Sequence, residues 1–218
     1  MCRFPISNGN RHSPRGGVAI SHDSLPRSQF NQFSVNQLQQ SAFPEFLRES
    51  LSRAGLLGDW FSWHEPEEVP EPFRELLIHE MDMTSTLERY HGEKMILEVL
   101  ADGQADGYYF REVILRGGET GRAAEFGLIE IEVSQFPEDL HEAILSGRKP
   151  LGGIMNESGM IYESQPLGYF SVARGKLPTK LCALGNGDTF YGRYNQLVRA
   201  DGSCLARILE IIPRSSDS

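Results

Sequence analysis

The clearest pattern of apolar and polar positions lies at residues 108–116, Tyr-Tyr-Phe-Arg-Glu-Val-Ile-Leu-Arg, which a Gly-Gly pair follows. Aromatic and β-branched residues with period-two alternation predict a β-strand that ends at the glycines. Alternation divides this strand into two faces, and one of them is apolar except for a single arginine. That face comprises Tyr109, Arg111, Val113 and Leu115.

Arg111 is therefore a cation in a row of residues that should face the core. Burying a guanidinium costs several kcal/mol unless the group is paired and hydrogen-bonded. The strand alone leaves three interpretations open: an internal ion pair, an edge strand with Arg111 in water, or an anionic ligand. A ligand carboxylate would suit the planar fork of the guanidinium.

A second charged residue interrupts an apolar row near the C-terminus. Residues 204–213 alternate as a strand, and the face that carries Ala206, Ile208 and Ile212 also carries Glu210. Burial raises the pKa of such a carboxyl, whereas a neighbouring arginine lowers it. The alternative is that Arg111 and Glu210 pair with each other, which would leave neither of them for a ligand.

The remaining patterns predict a mixture of helices and strands. Helices are expected at residues 43–57, 71–79 and 136–146 and from two starts, at 81–88 and 149–155. Strands are expected at residues 93–101, 123–133, 161–172 and 189–200, with hairpin turns at 102–107 and at Asp201-Gly202 and a loop at 173–188.

The two helix starts are of interest because the first N–H groups of a helix can receive an anion. In the first, Ser85 and Glu88 have capping-box spacing, Thr84 is an alternative cap, and Gly92 fits the helix end. In the second, Pro150 is expected at the first helical position.

Length and composition predict one domain with additional segments. A chain of 218 residues with 39% hydrophobic content suggests that part of it lies outside the core. Residues 1–42 are expected to be a disordered tail or a misplaced start, with a transit peptide as the alternative. Residues 43–70 are expected to be a helical lead-in and acidic linker, 71–213 the domain, and 214–218 a short tail.

Charge and motifs limit the partners. A net charge of −9 argues against binding to nucleic acid or to an anionic membrane, and no apolar run has the length of a membrane span. Cys2, Cys182 and Cys204 share no short spacing, which argues against a disulfide framework. The expected location of the protein is therefore the reducing cytoplasm. No histidine pair or phosphate-binding loop is present, so neither a metal nor an organic cofactor is expected.

Short segments in a fixed order carry a family resemblance. They are Met81-Asp82-Met83-Thr84, Phe110-Arg111-Glu112-Val113-Ile114-Leu115, Pro150-Leu151-Gly152, Tyr191-Gly192-Arg193-Tyr194 and Leu209-Glu210-Ile211-Ile212-Pro213. Together they resemble chorismate pyruvate-lyase, the enzyme family that converts chorismate to 4-hydroxybenzoate and pyruvate. The resemblance covers residues 71–213.

The resemblance implies an α+β fold in which an antiparallel sheet of about six strands, with flanking helices, encloses an internal ligand cavity. It implies a lyase that acts on a small-molecule substrate without a metal or organic cofactor, in ubiquinone or secondary-metabolite synthesis. Arg111 would bind the ring carboxylate, and the backbone N–H groups of Met83 and Leu151 would bind the ligand. Glu210 would meet the ring hydroxyl. Arg111 and Glu210 are thus the candidate catalytic residues, and whether Glu210 moves a proton or orients the hydroxyl stays open.

Three departures from the family pattern bear on the substrate. Gly153 stands where many members have a basic residue, Glu125 stands near an expected arginine, and the stretch between Met155 and Tyr191 is longer than usual. The main alternative is a non-catalytic aromatic-acid sensor domain of the same fold, as in some bacterial transcription regulators. The first 70 residues offer no basic helix for the DNA-binding domain of those regulators. A carrier of aromatic acids and a catalytically inactive relative also stay open.

Overall fold

The computed structural model describes residues 45–213, so the tails expected at 1–42 and 214–218 lie outside the described residues. The helices of the described part are α1 (Glu45–Ala54), α2 (Phe73–Leu77), α3 (Met83–His91), α4 (Glu138–Leu145), α5 (Leu151–Glu157) and α6 (Thr179–Cys182). The strands are β1 (Phe61–His64), β2 (Met95–Ala105), β3 (Tyr108–Gly117), β4 (Ala123–Glu132), β5 (Glu163–Ala173), β6 (Thr189–Val198) and β7 (Cys204–Ile212).

All seven strands form one antiparallel sheet in the order β1-β5-β6-β7-β4-β3-β2. The expected α+β class, with an antiparallel sheet and flanking helices, is confirmed. The sheet has one strand more than the six expected, because Phe61–His64 pairs with β5 at the edge. This strand and α1 fall in the segment expected to precede the domain, and both pack into its core.

The β2–β3 hairpin shows why the sheet has a well-defined register. Asp106 and Gly107 have φ values of 51° and 86°, the left-handed conformation that a two-residue hairpin turn requires. The turn is shorter than expected, since β2 continues to Ala105 and β3 begins at Tyr108. The register then places Arg111 on the row expected from alternation, between Asp102 of β2 and Ile129 of β4.

The two faces of the sheet have different coverings. On one face, Leu51 and Ala54 of α1 and Leu181 of α6 pack against a cluster that includes Ile114 and Phe170. On the other face, α2 and α3 cover one end and α4 and α5 cover the other, each with its own cluster of buried apolar residues. The space between these two helical groups is where the cavity described below lies.

The helix starts differ in detail from the sequence expectation. Asp82 caps α3 by accepting a hydrogen bond from the Ser85 backbone N–H at 2.8 Å, so neither Ser85 nor Thr84 is the cap. Asp82 is the capping residue because it directly precedes the first helical residue, so its carboxylate can accept from an N–H group of the first turn. Pro150 precedes α5 as its capping residue rather than its first residue. Gly92 ends α3 in a left-handed conformation, as expected.

Two further expectations can be compared with the described residues. The loop expected at 173–188 contains a 3-10 helix, Arg174–Lys176, and the short helix α6. Among the described helices, none has the length and apolar character needed to cross a bilayer.

Candidate functional site

A cavity lies between one face of the sheet and the N-terminal ends of α3 and α5. Its empty volume, including its open mouth, is about 560 Å³. The wall is mainly apolar, and its polar side chains are those of Asp82, Thr84, Arg111, Glu125, Asn195 and Glu210. All four residues assigned by the resemblance, Met83, Arg111, Leu151 and Glu210, line this one cavity.

The strand register fixes the distance between the two charged residues. Arg111 on β3 stands opposite Ile129 on β4, whereas Glu210 on β7 stands opposite Gly127, two residues away on the same face. With strands spaced by about 4.8 Å and two residues spanning about 6.8 Å, the two Cα atoms lie roughly 12 Å apart. The two side chains therefore lie on the same face of the sheet, two strands apart.

Arg111 is buried, and no carboxylate of residues 45–213 forms an ion pair with it, although the charge of Asp102 on the neighbouring strand attracts it. Its side chain is only 3% exposed, Nη1 donates to the Lys149 carbonyl at 3.2 Å, and Nε is buried with no hydrogen-bond partner. Burial lowers the pKa of the guanidinium, because it disfavours the charged form. Of the three interpretations left open by the strand, a water-exposed arginine and an internal ion pair with Glu210 are therefore wrong. A buried cation with an unused donor is suited to an anionic ligand.

Glu210 pairs with Arg193, which is fully buried on the neighbouring strand β6. The two residues are register partners, and Arg193 donates from Nε to Oε2 of Glu210. The alternative in which Arg111 and Glu210 pair with each other is thus excluded by the geometry. Arg193 was part of a resembling segment but had no assigned role. Counting back from the expected Asp201-Gly202 turn would have found it, since that turn places Arg193 opposite Glu210.

Arg193 also holds the segment that leads into α3. Its Nη1 donates to the carbonyls of Leu77 and His79 at 3.2 and 3.0 Å, and Nη2 donates to the Met81 carbonyl at 3.5 Å. Burial and the nearby Arg193 charge lower the pKa of His79. One guanidinium therefore fixes both the Glu210 carboxylate and the backbone just before Met83, two parts of the cavity wall.

Glu125 is the residue whose role sequence reasoning missed, since it was treated only as a departure from the family pattern. Its side chain is 4% exposed and lines the cavity, and its Oε2 atom is buried with no hydrogen-bond partner. Burial, and after it the negative charge of Glu210, raises the pKa of this carboxyl well above its usual range. Burial and the neighbouring carboxylate thus favour the neutral form of Glu125, whereas Glu210 is ion-paired with Arg193.

The two helix starts supply backbone groups to the cavity. Met83 is the first residue of α3 and Leu151 the first residue of α5, and both side chains are buried. First-turn N–H groups have no carbonyl partner within their own helix, which leaves them available to a ligand. The binding roles assigned to Met83 and Leu151 stay predictions. In the described part of the chain, no cluster of His, Cys, Asp and Glu has the arrangement of a metal site.

Comparison with known proteins gives little further information. No protein-family model matches the chain, and no curated protein matches it. A crystal structure of PhnF from Mycobacterium smegmatis is similar, with a TM-score of 0.44 and 11% sequence identity over 62% of this chain and 65% of that chain. The match thus spans less than two thirds of that structure. At this identity and TM-score the similarity carries no argument about function, which has to come from the cavity itself.

Proposed function

We propose that the cavity binds a small aromatic carboxylic acid that carries a hydroxyl group, of the hydroxybenzoate class. The observation that carries this proposal is Arg111, a buried guanidinium that faces the cavity with an unused Nε–H donor. A ligand carboxylate would pair with that donor and neutralise a charge that the described residues leave without a carboxylate partner. Apolar walls on either side suit an aromatic ring.

The charges of the wall favour a ligand with one carboxylate. Arg111 is the only cation among the described lining residues. Arg193 is not one of them, and its charge is already paired with Glu210. Asp82 adds a negative charge at the start of α3, so a second carboxylate in the cavity would meet no free cation. These charges support, as the first candidate, sensor-type or carrier-type binding of a hydroxybenzoate, which was expected from the sequence only as the alternative to the lyase.

The second candidate is the elimination of pyruvate from chorismate, as the family resemblance implies. It is favoured by one observation, the convergence of Met83, Arg111, Leu151 and Glu210 on a single cavity. In this reaction the C–O bond to the enolpyruvyl group breaks and a ring proton is lost, and formation of the aromatic ring supplies the driving force. The chain would hold the reactive conformer and exclude water, with Glu210 as the candidate group that takes the proton or orients the hydroxyl.

Calorimetric titration with 4-hydroxybenzoate, together with incubation of the protein with chorismate, tests both candidates. Saturable binding without release of pyruvate supports the binding function. Equal amounts of 4-hydroxybenzoate and pyruvate, measured by chromatography and lost in Glu210→Gln, support the lyase. If neither ligand binds, the assignment of the cavity is wrong. Phenol, which keeps the ring and hydroxyl but lacks the carboxylate, is the matched control ligand and should bind far more weakly than 4-hydroxybenzoate.

A further inference from the structure

Two carboxyl groups, Glu125 and Glu210, lie side by side in the cavity wall, and their surroundings differ. Glu210 accepts a hydrogen bond from Arg193, so its negative charge is compensated. Glu125 has a buried oxygen without a partner among the described residues, and the cation whose charge acts on it, Arg193, pairs with Glu210. A buried carboxyl beside a carboxylate keeps its proton, because two like charges at close range cannot both be ionised at low cost.

Gly127 explains how the Glu125 carboxyl comes close to Glu210. Gly127 stands between Val113 and Glu210 in the row of cross-strand partners. A methyl group at Gly127 would lie 3.0 Å from Glu125 Oε1, so the glycine leaves a space that the Glu125 carboxyl covers. The Glu125 side chain thus extends along β4 towards Gly127, and its carboxyl lies above the residue that stands opposite Glu210.

We propose that Glu125 and Glu210 form a donor–acceptor pair that selects a hydroxyl group on the ligand. Glu125 donates a hydrogen bond to the hydroxyl oxygen, and the hydroxyl donates its own proton to a Glu210 oxygen. The inference rests on the proposed binding function and adds a requirement to it. A methoxy group only accepts and an ammonium group only donates, so either one would leave one of the two carboxyls without a partner.

The charged groups around Glu125 are consistent with this role. Glu210 and Arg193 face it from β7 and β6, Arg111 lies across the cavity on β3, and Asp82 contributes a carboxylate at the start of α3. The start of α5 contributes only Pro150, Leu151 and Gly152 to the cavity wall. Rising pH therefore ionises Glu125 against the neighbouring Glu210 carboxylate, and an ionised Glu125 no longer donates a hydrogen bond.

The test is calorimetric titration of 4-hydroxybenzoate, 4-methoxybenzoate and benzoate against the unmodified protein and three variants. The unmodified protein is expected to bind 4-hydroxybenzoate about 10- to 100-fold more tightly than the other two, the value of one or two hydrogen bonds to charged or buried groups. Glu125→Leu removes the donor at similar volume and should lose most of that preference. Glu125→Gln keeps an N–H donor and should retain it.

A pH series separates hydrogen bonding from packing. Affinity of the unmodified protein for 4-hydroxybenzoate should fall as pH rises from mildly acidic to mildly alkaline, and this fall should be absent in Glu125→Gln. Glu130→Gln is the matched control, because Glu130 lies on the same strand outside the cavity and burial also raises its pKa. That variant should bind like the unmodified protein.

The possible failures can be told apart. If all three benzoates bind equally well, or if Glu125→Leu keeps the hydroxyl preference, the donor–acceptor pair is wrong while the cavity assignment stands. If no benzoate binds, both the pair and the proposed function are wrong. Circular dichroism and thermal unfolding of each variant show whether a loss of binding reflects a loss of fold.

Discussion

Arg193 and Glu210 stand directly opposite each other on β6 and β7 and form an ion pair that is almost completely shielded from solvent. Because this pair satisfies the charge of Glu210, Glu210 is not the partner of Arg111. The same pair anchors the backbone of residues 77–81 above the sheet. Arg193 thus serves the architecture of the cavity.

Replacing Arg111 with methionine should remove binding of aromatic acids without unfolding the domain. Two charge-assisted hydrogen bonds to a carboxylate are lost, so affinity for 4-hydroxybenzoate should fall by about 100-fold or more. Isothermal calorimetry measures the change. Arg116→Met is the matched control, since Arg116 lies on the same strand, is partly exposed and pairs with Glu98. Unchanged affinity in Arg111→Met would overturn the site assignment.

Replacing Arg193 with methionine should destabilise the fold. Glu210 would be left as a buried, unpaired charge, and the Leu77 and His79 carbonyls would lose their donor. Removing one partner of a buried ion pair costs about 3–5 kcal/mol in the free energy of unfolding. Urea denaturation measures this loss in the free energy of unfolding. Lys149→Met, which breaks the exposed pair with Glu157, should cost less than about 1 kcal/mol, and equal costs for the two variants would contradict the prediction.

An alanine at Gly127 should narrow the cavity floor. Its methyl group would lie 3.0 Å from Glu125 Oε1 and 3.1 Å from Val113 Cγ2, so both neighbours have to move. We expect a loss of about 1–3 kcal/mol in the free energy of unfolding and weaker binding of 4-hydroxybenzoate. Gly153→Ala provides the comparison, because no atom lies within 4 Å of that methyl position. Because Gly153 lies within helix α5, the alanine should leave the free energy of unfolding unchanged or raise it by up to about 1 kcal/mol.

Stability should depend on pH through Glu125. Burial and Glu210 raise the pKa of this carboxyl in the folded state above its unfolded value. Its favourable contribution is therefore complete below the unfolded pKa and is lost as pH rises through the raised folded value. The urea midpoint of Glu125→Gln should decline less steeply with rising pH than that of the unmodified protein. Glu130→Gln should change the pH dependence less, since Glu130 is only half-buried. If the urea midpoints of Glu125→Gln and of the unmodified protein change in parallel with pH, the raised pKa assigned to Glu125 is wrong.

The sequence carried enough information to place β3 and β7 and to single out Arg111 and Glu210. Each strand has one apolar row, and a charged residue in such a row is visible without knowing its neighbours. The same reasoning also applies to Glu125 on β4, which interrupts a row with Gly127, Ile129 and Ile131, but Glu125 was judged only against the family pattern.

Features that depend on pairing between distant segments were not visible in the sequence. The partner of Glu210 is a different case: no local pattern around Arg193 shows it, but counting back from the Asp201-Gly202 turn gives the register that pairs the two residues. Strand β1 has four residues and takes its geometry from pairing with β5, which comes far later in the chain. Propensity and periodicity act over neighbouring residues and carry no information about such pairings.

The pairing of β1 with β5 has a consequence for how far the chain can be shortened. The Phe170 ring on β5 is buried against Phe61 and Trp63, with ring centroids 4.8 and 5.7 Å apart. A chain that began at residue 71 would expose this aromatic surface together with the unpaired backbone of an open sheet edge. Open edges and exposed apolar surface promote self-association. The shortest chain that folds without added self-association should therefore begin at or before α1, a limit that size-exclusion chromatography of stepwise truncations would reveal.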